Sequence, residues 1–258
     1  MLRHVGAKRS FLHNLRLAVL LSLNAGFINA AGFLAFAVLT TNVTGHAALL
    51  AVHISDENWQ HVRMVALWLL LFLAGAFLSA AYIRRIGADK PHAYTVPILV
   101  IIAVLVAVFL LGDTYSGSFA QTGYFAGSLL FAMGMQNALV SIISGSVVRT
   151  THLTGMFTDL GIDLSGLLFS GRADALLRRK IILRLSIISC FLLGGIAGGI
   201  LFAHFRFRAF AIPVLLLLLA LCYDYFRVYF THALRHKARH HTVLLLLVAT
   251  RLFLSIFL

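Results

Sequence analysis

The chain has 258 residues, 61% of them hydrophobic and 11% charged, with a formal net charge of +13. Such apolarity excludes a soluble globular domain and points to an integral membrane protein. The basic excess is not a nucleic-acid signal, because Lys and Arg fall in short clusters between apolar blocks, as in cytoplasmic loops.

The blocks are continuously apolar and roughly 20 residues long, the length of a helix crossing a hydrocarbon core of about 30 Å. Barrel strands would alternate instead. Arg3, Lys8, Arg9 and Arg16 precede a run, 17–39, that is too long for the apolar region of a signal peptide. It is read as a retained first span. A Thr-rich segment, 40–45, comes next, then a short apolar piece, 47–52, and a polar loop, 54–61, with Asp56 and Glu57. The second span, 62–83, ends at a connector holding Arg84, Arg85 and Lys90, and the third covers 94–111.

The fourth span, 119–148, leads into a second Thr-rich segment and a moderately polar helix, 155–169. A basic stretch, 171–184, precedes the fifth span, 181–203, and the sixth covers 209–230. The tail is basic and His-rich over 232–241 and apolar over 243–258. That last piece is short for a span and carries Arg251, which costs about 2.5–3.5 kcal/mol at a bilayer centre. An interfacial helix over anionic headgroups is expected there. The Lys and Arg clusters place both termini in the cytoplasm, with Arg206 and Arg208 as the exception on the outer side.

One string occurs twice. Gly26-Phe27-Ile28-Asn29-Ala30 and Gly134-Met135-Gln136-Asn137-Ala138 share G-x-x-N-A. Each is followed by T-T-x-[V/L]-T-G, at Thr40–Gly45 and Thr150–Gly155. The offset is 108 residues at the Asn and 110 at the Thr-Gly. Farther on, F-L-x-G recurs at Phe72 and Phe191, and a proline at Pro97 and Pro213. Each half holds three predicted spans, an odd number, so the second half enters the membrane from the opposite side. The predicted fold is an all-α integral membrane protein with six transmembrane helices arranged as two inverted three-helix repeats. The repeats run about 15–111 and 119–231, with helices 1 and 4 interrupted at the Thr-rich segments, in one membrane domain, 1–231.

Matching interruptions in two halves are a pointer to a transporter site; the alternative is that the Thr runs merely end helices at the membrane surface. Thr44 and Thr154 are predicted N-caps of the pieces that begin at Gly45 and Gly155. Asn29 and Asn137 either bond across helices or, with Gln136, line a shared cavity. Asp159 and Asp163 are one turn apart on a helix face. They belong to a cation-coupled site or are solvated near Arg149. Two G-x-x-x-G patterns in 194–199 suit packing of the two halves, with homodimerisation second. Cys190 and Cys222 lie inside apolar blocks, and neither a disulfide nor a metal site is expected. The chain has no catalytic constellation, so an enzyme has little support, and no cofactor is expected.

The motifs, above all Met133-Gly134-Met135-Gln136-Asn137-Ala138 and the following Thr151-His152-Leu153-Thr154-Gly155 with Thr158-Asp159-Leu160-Gly161, resemble those of the YoaK-type bacterial membrane proteins. The resemblance covers about 15–231 and implies a six-helix membrane fold of unknown function. In the first copy those proteins usually have Asn where this chain has His46, so no role carries over to that position. The resulting expectation is a transporter or channel-like protein of the bacterial inner membrane. Its site lies between the repeats and takes a polar or anionic small solute. Asn29, Thr41, Thr44, Gly45, Gln136, Asn137, Thr151, Thr154, Gly155 and Asp159 are the candidate lining. A non-transporting sensor or assembly partner is the alternative.

Overall fold

The computed structural model describes residues 11–88, 90, 93–169 and 175–222. The expected interfacial helix at 243–258, the basic tail and the end of the sixth span lie outside the described residues. By internal contacts the chain divides after Leu218; the architecture below is that of the first unit.

Among the described residues every regular element is helical. The long helices are α1 (Phe11–Phe36), α3 (Trp59–Ile86), α4 (Thr95–Leu111), α5 (Phe119–Ser144) and α7 (Ala175–Phe205), with two shorter ones, α2 (Val43–Ser55) and α6 (Leu153–Phe169). A 3-10 turn, Arg206–Phe210, follows α7, and residues 211–218 are again helical. Five stretches are long and apolar enough to cross a membrane, the last being Ala175–Cys222 with 48 residues. At 13 residues, α2 spans about 20 Å and cannot cross. The outward faces are what lipid requires: Leu73 is 63% exposed, Phe77 67% and Ile196 59%. In water such a surface would aggregate; in a bilayer it is solvated. The chain is a multi-pass, all-helical membrane protein.

Both expected interruptions are present, but they begin upstream of the threonines. Helix α1 stops at Phe36, and Ala37 takes a positive φ of 55°. Helix α5 stops at Ser144; Gly145 and Ser146 both have positive φ, and Ser146 N–H returns to the Ser141 carbonyl at 2.7 Å. The left-handed residues end each helix, and the threonines occupy the linkers. Helix α7 begins earlier than predicted, so Arg178 to Arg184 of the basic stretch are helical.

The packing pairs are crossed between the halves: α1 packs on α7, and α3 on α5. Small residues set both crossings. A Cβ on Gly26 would strike the Phe191 carbonyl, and one on Gly194 would strike that of Leu23. In the other pair, a Cβ on Gly134 would strike the Phe72 carbonyl, and one on Gly75 that of Phe131. These are the same contacts moved by 108 residues on α1 and 119 on α7. The glycine pattern in α7 is therefore used against α1, since Gly198 also lies on Phe27.

Candidate functional site

The repeated amides hold the repeated threonines. Asn29 Oδ1 accepts from the Thr41 backbone N–H at 3.1 Å and from Thr41 Oγ1 at 3.0 Å. Asn137 Oδ1 accepts from Thr151 Oγ1 at 2.7 Å. Each bond staples the linker back onto the helix it has just left. Both amides are half-buried.

Gln136 is 1% exposed and does something different. Its Oε1 accepts from Asn24 Nδ2 at 2.8 Å, and its Nε2 donates to the Leu21 carbonyl at 3.0 Å. This joins α5 to α1 in the interior. Asn24, 0% exposed, was not singled out in the sequence. An Asn in an apolar helix is its only local mark, and its partner is 112 residues away.

The two predicted caps are corrected. Helix α2 is capped by Asn42, whose Oδ1 accepts from Gly45 N–H at 3.0 Å. Thr44 is exposed and inside the first turn, and Thr154 holds the same place in α6. An Asn at the N-cap competes well with Thr, and in α2 it precedes Thr44; α6 already begins at Leu153, before Thr154. The position equivalent to Asn42 is His152, whose ring lies over Gly155.

Asp159 and Asp163 are not partners of Arg149. Both bind Arg184 on α7: Asp159 Oδ2 accepts from Nη2 at 3.0 Å, and Asp163 Oδ2 from Nη1. The Arg184 side chain is 19% exposed, that of Asp163 11% and that of Asp159 47%. The acids thus tie α6 to α7. In the other half the corresponding tie is apolar and aromatic. There His46, 3% exposed, packs its ring 5.6 Å from that of Trp68. His46 Nε2 donates to the Leu39 carbonyl at 2.9 Å, leaving Nδ1 buried without a partner among the described residues. Burial lowers the pKa of this imidazole, against the smaller raising effect of the Leu39 bond.

Two cavities of about 410 Å³ flank these features. One is lined by Ala37, Leu39, Asn42, Gly45 and Leu49, with Val65 and Trp68 opposite. The other is lined by Val147, Arg149, His152, Gly155 and Asp159, with Arg184 and Ile187 opposite. Every one of these residues matches its counterpart at an offset of 110 from the linker onward, or 119 on α3 and α7. The cavities are copies of one another in position and differ in chemistry. Of the candidate lining, Gly45 belongs to one cavity and Gly155 and Asp159 to the other. The remaining candidates lie in the helices and linkers around them, and Gln136 lies in the closed interior.

The interior also holds polar atoms that find no partner among the described residues: Ser22 Oγ, Asn24 Oδ1, Thr40 Oγ1, Ser79 Oγ and Thr150 Oγ1. Thr40 and Thr150 are equivalent at the offset of 110. Among the described residues no group of His, Cys, Asp or Glu has the arrangement of a metal site.

A family model described as "Protein of unknown function (DUF1275)" matches residues 17–223. The chain is 24% identical over 199 residues to the UPF0700 transmembrane protein YoaK of Bacillus subtilis (strain 168), covering 77% of this chain and 88% of that protein. No solved structure matches. The chain belongs to the DUF1275 family of proteins of unknown function.

Proposed function

We propose that the chain is a small secondary transporter of the bacterial inner membrane. It works by alternating access between two inverted three-helix repeats, with both termini cytoplasmic. The pair of repeat-equivalent cavities carries this reading. The end of α1 and the end of α5 are separated by α3, α4 and α5; if each crosses the membrane, as this reading has it, the cavities open on opposite faces. Asn24 and Gln136, 0% and 1% exposed, lie in the closed interior and line neither cavity. Exchange of one half's geometry for the other's would close one cavity and open its twin.

The unpartnered interior hydroxyls support the same reading. A buried polar atom without a partner costs about 1–3 kcal/mol, and water cannot relieve it inside hydrocarbon. Several such atoms in one interior suit a solute that supplies the missing bonds as it passes. Static packing would favour apolar residues at these positions.

The test uses a chain with Cys190→Ser and Cys222→Ser, carrying Asn24→Cys. It is reconstituted in sealed vesicles and exposed to a membrane-impermeant maleimide from one face at a time. Alternating access labels position 24 from either face over time. A protein that never opens leaves it unlabelled from both, which would overturn the transport reading.

A further inference from the structure

We infer that the cavity at the start of α6 is an oxyanion site, taking a carboxylate or phosphate group. Three observations meet there. First, two of its lining cations, Arg149 and Lys180, have no hydrogen bond or ion pair among the described residues. The third, Arg184, is already engaged by Asp159 and Asp163. Among the described residues Asp159 is the one carboxylate lining the cavity, so the balance left over there is positive. Unpaired basic groups on a concave wall of about 410 Å³ suit a small anion better than a solvated surface does.

Second, the N-terminus of α6 forms part of the same wall. In α2 the Asn42 side chain satisfies Gly45 N–H. At the equivalent position His152 replaces that acceptor, and Gly155 N–H has no side-chain acceptor among the described residues. An uncapped helix start beside two cations favours negative charge.

Third, the twin cavity supplies an internal control. Its residues at the positions of Arg149, Lys180 and Arg184 are Leu39, His61 and Val65. The backbone arrangement is shared, and the cations are not. They are a property of this cavity and not of the fold.

The inference rests on the proposed transport reading only in calling this cavity the cytoplasmic mouth. Anion binding is measured without flux. The same chemistry comes from a soluble anion or from an anionic lipid headgroup, and two arms separate them. In neutral detergent, binding of labelled succinate and of inorganic phosphate is followed by equilibrium dialysis. In nanodiscs, retention of phosphatidylglycerol against a zwitterionic lipid is followed by native mass spectrometry.

Arg149→Gln and Lys180→Gln, both at exposed side chains, are compared with Arg179→Gln, which lies beside Lys180 on α7 outside the cavity. Loss of about tenfold in affinity for a soluble anion in the first two variants, with Arg179→Gln unchanged, identifies a solute site. The same pattern for phosphatidylglycerol alone identifies a headgroup site. Equal behaviour of all three variants toward every probe, with each variant folded by its thermal transition, overturns the oxyanion assignment. If the anion binds and position 24 is never labelled, the transport reading falls while this site stands.

Discussion

Asn137 Oδ1 is held by one donor, Thr151 Oγ1 at 2.7 Å, whereas Asn29 Oδ1 is held by two, the hydroxyl and the backbone N–H of Thr41. The two staples look alike in sequence and differ in redundancy. Thr151→Val strips its amide of the donor; Thr41→Val leaves the backbone donor in place. Thr151→Val is expected to lower stability by about 1 kcal/mol and Thr41→Val by clearly less. Thermal unfolding of both in the same detergent checks the order. Equal losses would show that the second donor at Asn29 contributes nothing.

The crossings make a sharper prediction. Gly26→Ala and Gly134→Ala each put a methyl into a partner helix's carbonyl, which rigid backbone cannot avoid. Each should cost more than about 2 kcal/mol, at the upper part of the overpacking range. Gly161 in α6 has nothing within 4 Å of its added Cβ. Gly161→Ala should be neutral or stabilise by up to about 1 kcal/mol, through the unfolded chain. Expression and melting of the three variants test the crossing geometry directly.

Arg184 joins two acids of unequal exposure. Asp163, at 11%, is more dependent on its partner than Asp159, at 47%. Arg184→Gln strands both and is expected to cost about 1–3 kcal/mol. Adding Asp163→Asn to Arg184→Gln should recover part of that loss, and adding Asp159→Asn should recover less. A double-mutant cycle on the melting temperature reads the difference.

His46 gives a pH signature. Its pKa is lowered by burial, so the folded chain binds this proton less readily than the unfolded chain does. The stabilisation is complete above the unfolded value of about 6.5. It is lost as pH falls from there through the folded value. His46→Phe, which keeps a ring against Trp68 but gives up the Leu39 bond, should lower stability by about the same amount at every pH above 7.5 and flatten its pH dependence across that window. Melting curves from about pH 5 to 8 distinguish the two.

Much of the architecture was legible in the chain. Uninterrupted apolar blocks gave the membrane class, because lipid demands that whole helices be apolar. The Asn and Thr-Gly repeats marked the two places where the same staple is built. The positions of the breaks were misplaced toward the threonines. Ala37 and Ser146 adopt positive φ without being glycine, and nothing in their identity announces it. Asn24 was missed because α1 is apolar on all sides, so periodicity gives no inward face. The bonds of Asp159 and Asp163 to Arg184 are not legible in the chain, because that arginine is 25 and 21 residues away and only the packing of α6 on α7 brings it near. The matching cavities needed the second offset, 119, which the sequence displays only at F-L-x-G.

The central claim is that two equivalent cavities face opposite sides of one membrane. Ala37 and Val147 are exposed, occupy matched positions and each line one cavity. In the background lacking Cys190 and Cys222, Ala37→Cys and Val147→Cys are labelled with an impermeant maleimide in intact cells and in inverted membrane vesicles. The account predicts rapid labelling of position 37 from outside and of position 147 from the cytoplasmic side. Labelling of both positions from the same side would contradict it.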